Sequence, residues 1–228
     1  MRIMLCGPSG IGKTTIAEQI SKDFGISYIS GSVSDLIPET KVLKHAEMLS
    51  RSNNTLIKED YQVVNLRNKL FKDLNNFVTD RSYVDSAAYF LYKQSTKIPT
   101  CEIEQFITLC RMLLTQQCDL LVFLSLLPED VNNWLVEDND KRVVNTYYQV
   151  QTSSIMSDIL RYMGLCVDYT TTHLSTTWFG KTLDLNRPVS VGTISTPTGT
   201  TTVLEIPDLD KEHRLKVLNH FIRKSIHV

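Results

Sequence analysis

The sequence has 228 residues, enough for one α/β domain or two small ones, and its 42% content of apolar residues can form a substantial core. A formal net charge of −1 gives no overall attraction to nucleic acid or acidic membranes. No apolar run approaches the roughly 20 residues that a membrane-spanning helix needs, and a predicted strand begins at once, which leaves no room for a signal peptide. The five cysteines form no C-x-x-C pair, so we expect reduced thiols in a cytoplasmic protein without a membrane partner.

The N-terminal segment predicts a strand, a glycine-rich loop and a helix. Residues 3–6 form a short apolar run typical of a buried strand. Residues 14–24 carry apolar side chains four residues apart, on one face of a helix. Between them, residues 7–15 match the spacing G-x-x-x-x-G-K-[ST] of a phosphate-binding loop. Strand and helix lie on the correct sides of this motif, so we predict a nucleotide site here.

The residue types in this loop fit the chemistry of phosphate binding. Glycines let backbone N–H groups turn inward around phosphate oxygens, and the following helix adds the positive end of its dipole. We expect Lys13 to contact the β- and γ-phosphates of ATP, and the Thr14 hydroxyl to bind Mg²⁺. The predicted nucleotide-binding residues are Gly7, Ser9, Gly10, Ile11, Gly12, Lys13, Thr14 and Thr15.

The rest of the chain alternates predicted strands with predicted helices. The predicted strands are residues 26–29, 77–79, 119–126 and 165–167. The predicted helices are residues 35–51 with an interruption at Pro38, 58–75, 83–94, 102–117, 128–164 apart from the charged stretch 137–142, and 210–223. This alternation predicts a single α/β domain over residues 1–228, with a doubly wound parallel sheet.

The stretch 170–202 differs from the rest because it is rich in threonine and serine. Alternating residues on both sides of the turn Pro197-Thr198-Gly199 predict a β-hairpin insertion, with residues 203–206 continuing into the main sheet. We expect the hairpin to project from the sheet edge and to contact the acceptor or a partner. Trp178 and Phe179 offer aromatic rings for stacking on a base, and the alternative for this pair is ordinary packing. The alternative is a hairpin that only covers an exposed sheet edge.

A second informative site follows the strand predicted at residues 77–79, where Asp80 and Arg81 are adjacent. A carboxylate at the end of a strand beside the phosphate loop can hold Mg²⁺ or accept a proton. The neighbouring guanidinium can bind a phosphate group through two parallel hydrogen bonds. The alternative is an aspartate that caps the following helix, beside a solvated arginine.

The phosphate loop, the pair Asp80-Arg81 and the downstream pair Ala88-Tyr89 together resemble the P-loop nucleoside and nucleotide kinases. The segment D-R-S-x-x-D-x-x-A-Y is similar to thymidylate kinases and to the nicotinamide-ribose and phage nucleotide kinases. The resemblance covers residues 1–165. It implies a P-loop kinase fold, ATP and Mg²⁺ as cofactors, and a nucleotide or nucleoside as acceptor.

The same resemblance implies roles for individual residues. Lys13, Asp80 and Arg81 would act in catalysis, with Asp80 near Mg²⁺ or the acceptor. Residues 129–145 would form a lid over the phosphates, with Arg142 as its main catalytic residue and Lys141 as the second candidate. Positive groups of this kind carry much of the catalysis of phosphoryl transfer. The alternative for the charged stretch is a solvated turn between two helices.

The acceptor side has weaker signals. Its candidate residues are Asp35, Arg51, Tyr61, Arg67, Tyr83 and Trp178. Kinases that phosphorylate a nucleoside hydroxyl usually have a carboxylate directly after the second strand, where this sequence has residues 30–32, Ser-Gly-Ser. Asp35 is the nearest acid. This difference favours a phosphate acceptor, which needs no deprotonation, or Asp80 as the base.

Three functions compete at this point. The leading interpretation is a Mg²⁺-dependent kinase of a (deoxy)nucleoside monophosphate. A second interpretation keeps the kinase and makes the acceptor a hydroxymethylated base in DNA, such as 5-hydroxymethyluracil, as in some phage kinases; residues 170–202 motivate it. A third is a nucleotide-binding switch or motor subunit, although the chain has no N-K-x-D motif. The sequence leaves open whether the protein forms a homodimer.

Overall fold

The computed structural model describes residues 1–38, 52–126, 146–168, 177–178, 181–182, 189–206 and 211–226. Its strands are β1 (Arg2–Cys6), β2 (Ser27–Ile29), β3 (Phe77–Thr79), β4 (Leu120–Leu124), β5 (Cys166–Asp168), β6 (Thr177–Trp178), β7 (Lys181–Thr182), β8 (Ser190–Thr196) and β9 (Gly199–Ile206). Its helices are α1 (Lys13–Phe24), α2 (Val33–Leu36), α3 (Asn53–Phe71), α4 (Tyr83–Gln94), α5 (Thr100–Gln117), α6 (Thr146–Tyr162) and α7 (Lys211–Ile226).

The main sheet has seven strands in the order β2-β3-β1-β4-β9-β8-β5. The first strand of the chain, β1, lies near the centre and pairs in parallel with β3 and β4. Strands β2 and β9 extend this parallel arrangement on either side. Within the described part of this sheet, only β8 runs against the others, since it is antiparallel to both β9 and β5. β6 and β7 form a separate two-stranded pair.

Alternating side chains of β1 supply both hydrophobic cores. Met4 and Cys6 face the core built with α3, α4, α5 and α6. Ile3 and Leu5 face the opposite core, built with α1 and α7. All four are fully buried, as expected for a strand in the middle of a parallel sheet. The predicted doubly wound α/β fold is therefore confirmed.

The predicted hairpin is confirmed, but its predicted position at the edge of the sheet is wrong. β8 and β9 pair from Ser190↔Glu205 to Thr196↔Gly199, around the predicted turn. β9 also pairs with β4, and β8 pairs with β5, so the hairpin lies inside the main sheet. Thr201 of the hairpin is buried, and its hydroxyl donates to the carbonyl of Cys118 at 2.8 Å. Polar composition alone did not reveal this internal position.

Several predicted boundaries change. The helix predicted at residues 58–75 is α3, which begins earlier at Asn53 and ends at Phe71. Of the helix predicted at residues 35–51, the structure describes only the short α2 and the residues up to 38. The predicted lid at residues 129–145 lies outside the described residues. None of the described helices combines the length and apolar character needed to cross a membrane.

Candidate functional site

The phosphate loop connects the end of β1 to the start of α1, at the carboxyl edge of the sheet. Gly7, Gly10 and Gly12 all have positive φ angles, of 149°, 85° and 90°. At Gly7 a Cβ atom would also lie 2.6 Å from the carbonyl oxygen of Leu124, at the end of β4. Since any side chain at Gly7 would meet that backbone oxygen, this glycine allows the loop to turn directly over the neighbouring strand.

Lys13 is folded back onto its own loop. Its Nζ donates hydrogen bonds to the carbonyl oxygens of Gly7 at 2.6 Å and Pro8 at 2.7 Å. The residue is only 4% exposed. Burial, followed by the positive charge of Arg81, lowers the pKa of Lys13 to about 7. The loop thus holds an amine in a poorly solvated position, where it is only partly protonated near neutral pH and where an incoming phosphate would favour the charged form.

Thr14 joins the loop to the end of β3. Its hydroxyl donates to the Asp80 Oδ2 atom at 2.6 Å, and the backbone N–H of Gly31 donates to Asp80 Oδ1 at 3.2 Å. Asp80 is 4% exposed. Burial, followed by the charge of Asp80, raises the pKa of the nearby Tyr28 to about 12. The structure therefore brings together Thr14 and Asp80, the two residues that the sequence analysis expects to bind Mg²⁺.

Gly31, in the loop after β2, lies in close contact with the end of β3. A Cβ atom at this position would lie 2.8 Å from the Cβ of Arg81 and 2.9 Å from the Thr79 hydroxyl oxygen. Only glycine lets the two segments approach so closely. This close approach brings the Gly31 N–H to Asp80, and it explains the glycine at this position.

Arg67 of α3 anchors the same region. It is 2% exposed, and its Nε and Nη2 atoms donate to the carbonyl oxygen of Gly31 at 3.1 and 2.8 Å. Its Nη1 donates to the carbonyl of Ser82 at 3.0 Å and to the Ser86 hydroxyl at 2.5 Å. All three nitrogens are thus bound to protein. The prediction that Arg67 contacts an acceptor is therefore corrected: this side chain fixes the wall of the site.

Arg81 lies between the phosphate loop and α4. Its side chain is 24% exposed, and its Nη1 is 3.8 Å from the Asp85 Oδ1 atom. Asp85 also completes a capping box with Ser82, so the start of α4 is firmly fixed next to Arg81. The aspartate that caps this helix is therefore Asp85, and Asp80 is left for other contacts.

Tyr83 lies in the core. It has no exposed surface, and its hydroxyl donates to the Gln117 Oε1 atom at 2.7 Å. Its ring packs edge-on against Phe71, with centroids 6.5 Å apart. The prediction of Tyr83 as an acceptor residue is therefore wrong. Tyr83 comes two residues after Arg81 in the sequence, but the first turn of α4 directs it away from solvent.

The remaining acceptor candidates are only partly described. Asp35 is exposed on α2, where its Oδ2 accepts hydrogen bonds from the hydroxyls of Ser30 at 2.6 Å and Ser32 at 2.8 Å. Tyr61 packs edge-on against two core phenylalanine rings. Trp178 belongs to β6, and nothing is described of its side chain. The candidates outside the described residues are Arg51, Lys141 and Arg142.

Two residues at the phosphate loop were not predicted from the sequence. Gln149 Nε2 donates to the carbonyl oxygen of Ser9 at 2.8 Å. Arg214 Nη1 donates to the carbonyl oxygen of Ile11 at 3.0 Å. Both side chains are buried. They come from α6 and α7, far along the chain, and no motif or periodicity in the sequence connects them to the loop.

The loop lysine, the Thr14–Asp80 contact and the parallel sheet define a P-loop nucleotide-kinase type of fold. Deoxyadenosine kinase from M. mycoides with bound dATP is structurally similar, with a TM-score of 0.60, 12% identity and coverage of 98% of this chain and 100% of that chain. The same kinase with dCMP and a flexible dCDP gives a TM-score of 0.53 and 16% identity over 71% of this chain and 84% of that chain.

A family model described as an AAA domain matches residues 2–172. Because this match covers more than half of the chain, the protein belongs to that AAA domain family. No curated protein matches it in sequence. The matched residues include the phosphate loop, β3 with its Asp-Arg pair, and α6.

Proposed function

We propose that this protein is an ATP- and Mg²⁺-dependent kinase whose acceptor is a nucleotide or nucleoside, specifically a (deoxy)nucleoside monophosphate. The observation that carries the proposal is the contact between Thr14 and Asp80, 2.6 Å apart, beside the buried Lys13. The amine of Lys13 and the hydroxyl of Thr14, at the start of α1, meet the carboxylate of Asp80, which follows β3. All three lie at the carboxyl edge of the sheet, where ligands bind in open α/β folds.

The donor phosphates would be bound by the loop at residues 7–15. Its backbone N–H groups and the N-terminus of α1 provide positive potential, and a bound phosphate would stabilise the charged form of Lys13. Lys13 would exchange the carbonyl oxygens of Gly7 and Pro8 for phosphate oxygens. That exchange replaces two neutral partners with a charged one, which stabilises ATP and the charge that develops during transfer.

Thr14 and Asp80 fit a magnesium ion. Mg²⁺ prefers oxygen ligands and is usually held by one or two protein groups together with the phosphates of the substrate. The hydroxyl and the carboxylate supply oxygen ligands from two separate elements. These two residues would hold the ion, which would neutralise charge on the phosphates when bound.

The acceptor would lie on the side of Arg81. This side chain is partly exposed, and its guanidinium can bind a phosphate group through two hydrogen bonds. No carboxylate directly follows β2, and Asp35 is occupied by the hydroxyls of Ser30 and Ser32. A phosphate acceptor needs no base at neutral pH, so these features favour a monophosphate over a nucleoside. Asp80 would serve as the base if the acceptor were a hydroxyl.

The experiment is a transfer assay with γ-labelled ATP and the full chain. Its arms contain deoxynucleosides, deoxynucleoside monophosphates, and duplex DNA carrying 5-hydroxymethyluracil, and Lys13→Ala serves as the negative control. In the arm with deoxynucleoside monophosphates we expect a labelled deoxynucleoside diphosphate, and no labelled product with Lys13→Ala, since loss of one preorganised positive group costs about 3–4 kcal/mol of transition-state stabilisation. Label in DNA would show the DNA-kinase alternative. Acceptor-independent release of phosphate alone would indicate the switch or motor alternative.

A further inference from the structure

The outward-facing carbonyl groups of the phosphate loop are bound by two buried side chains from distant helices. Gln149 of α6 donates to Ser9 O at 2.8 Å, and Arg214 of α7 donates to Ile11 O at 3.0 Å. Gln149 is 3% exposed and Arg214 is 2% exposed. Each therefore binds the loop backbone with a side chain that is enclosed by the protein.

These two contacts control the orientation of peptide planes. A backbone N–H that points inward to a phosphate has its preceding carbonyl pointing outward. The carbonyls of Ser9 and Ile11 precede the N–H groups of Gly10 and Gly12. If an outward carbonyl has a fixed donor, its peptide plane cannot rotate without losing that hydrogen bond. Gln149 and Arg214 thus hold the inward direction of the next N–H groups.

The two contacts become more important when ATP binds. In the structure, Lys13 also holds two loop carbonyls, those of Gly7 and Pro8. Lys13 would leave these carbonyls in order to contact phosphate. Among the side-chain contacts described for the loop carbonyls, those of Gln149 and Arg214 then remain.

We propose that Gln149 and Arg214 are positioning residues for the donor phosphates, which act by fixing the backbone of the phosphate loop. Neither residue contacts ATP in this proposal. It rests on the proposed function only in that ATP is the ligand of the loop; phosphoryl transfer is not required for the test.

The test is isothermal titration of the full chain with ATP and Mg²⁺, without acceptor, comparing the wild type with Gln149→Met and Arg214→Met. Each change keeps the approximate volume and removes the donor. We expect the Kd for ATP to rise about fivefold to tenfold for each, which corresponds to one net hydrogen bond. Arg214→Lys keeps a donor and should recover part of the affinity.

Two matched controls separate positioning from general destabilisation. Gln94→Met removes a fully buried glutamine of α4 whose amide has no hydrogen-bond partner among the described residues. Arg111→Met removes an arginine of α5 that donates to the carbonyl of Ser195 in the hairpin at 2.8 Å. Both should leave the Kd for ATP unchanged, whatever they do to the melting temperature.

The outcomes are distinguishable. Wild-type Kd values for folded Gln149→Met and Arg214→Met would overturn the proposal, as would equal losses of affinity in the two controls. If Arg214→Met does not fold, Gln149→Met decides. A wild-type protein that binds ATP but transfers no phosphate would overturn the kinase function and leave this inference standing. A wild-type protein that does not bind ATP would overturn both.

Discussion

The Thr14 hydroxyl donates a 2.6 Å hydrogen bond to the Asp80 carboxylate, and this bond joins the first turn of α1 to the end of β3. The other oxygen of Asp80 accepts from the backbone of Gly31, so both carboxylate oxygens have a donor. Asp80 is therefore held in one orientation before any ligand binds, and Thr14 is held next to it. Such preorganisation is what electrostatic catalysis requires.

Asp80→Asn should lower kcat about a hundredfold or more, with a much smaller effect on the Kd for ATP. The side chain of the introduced asparagine has only one acceptor oxygen, so either the Thr14 hydroxyl or the Gly31 N–H would face an N–H₂ group instead of an acceptor. Steady-state kinetics with both substrates varied, together with ATP titration, would measure the two effects. A folded variant with wild-type kcat would show that Asp80 only stabilises the end of the strand.

Arg81→Lys should raise the KM for the acceptor about tenfold or more and leave the KM for ATP nearly unchanged. Lysine keeps the charge but cannot form two parallel hydrogen bonds to a phosphate, and a hydrogen bond to a charged group contributes about 1.5–3 kcal/mol. The measurement is initial rates at saturating ATP with varied acceptor. If the KM for ATP rises and that for the acceptor does not, Arg81 belongs to the donor side.

Lys13→Met should change how stability depends on pH. The folded pKa of Lys13, about 7, lies below the unfolded value, so the unfolded chain binds more protons between pH 7 and about 10. Wild-type stability therefore gains from Lys13 as pH rises through this window, by at most about 1.4 kcal/mol per pH unit. The methionine variant cannot gain stability in this way, so its free energy of unfolding relative to the wild type should fall as the pH rises through the same window.

Urea denaturation of both proteins at several pH values between 6 and 9 would measure this difference. Below pH 7 the lysine is charged in both states, and the difference between the two proteins should become constant. A pH-independent difference over the whole range would show that Lys13 keeps an ordinary pKa in the folded protein.

Arg67→Met should lower the free energy of unfolding by about 3 kcal/mol or more, because the carbonyls of Gly31 and Ser82 lose a charged donor inside the protein. The exposed Arg161, which pairs with Asp158 at 3.4 Å, provides the control: Arg161→Met should change stability by less than about 1 kcal/mol. Chemical denaturation measures both. Equal effects would mean that the buried arginine adds nothing beyond a surface ion pair.

Tyr83→Phe should cost about 1 kcal/mol of stability, the loss of one net hydrogen bond to Gln117, and leave both KM values unchanged. The ring and its packing against Phe71 remain in the variant. Thermal melting and steady-state kinetics would test this. A selective rise in the KM for the acceptor would return Tyr83 to the acceptor site.

The positions in the fold of the phosphate loop and the Asp80-Arg81 pair could be predicted from the sequence, while the roles of these residues stay predictions. The phosphate loop and the Asp80-Arg81 pair were found because each lies at the end of a short apolar run, and parallel strands carry such residues to one edge of the sheet. Tyr83 and Arg67 were misassigned for a common reason. Both are polar residues near the motif, and sequence spacing does not show which face of α3 or α4 is enclosed by the neighbouring helices.

The contacts of Gln149 and Arg214 could not be predicted at all. Each joins an ordinary helical residue to a loop carbonyl more than a hundred residues away. Backbone acceptors carry no signature in the sequence. The prediction that residues 203–206 enter the main sheet is confirmed by their pairing with β4, whereas the pairing of β8 with β5 was missed, because it depends on register and not on composition.

The internal hairpin has a consequence for the order of folding. β8 and β9 are joined by a two-residue turn, so they can pair within microseconds without help from the rest of the chain. β1 must instead find β3 and β4, which are separated from it by long stretches of sequence, and such non-local pairings are slow. We expect a preformed hairpin to dock onto β4 as a unit. The phosphate loop, although it stands near the beginning of the sequence, would then acquire its final geometry among the last parts of the molecule.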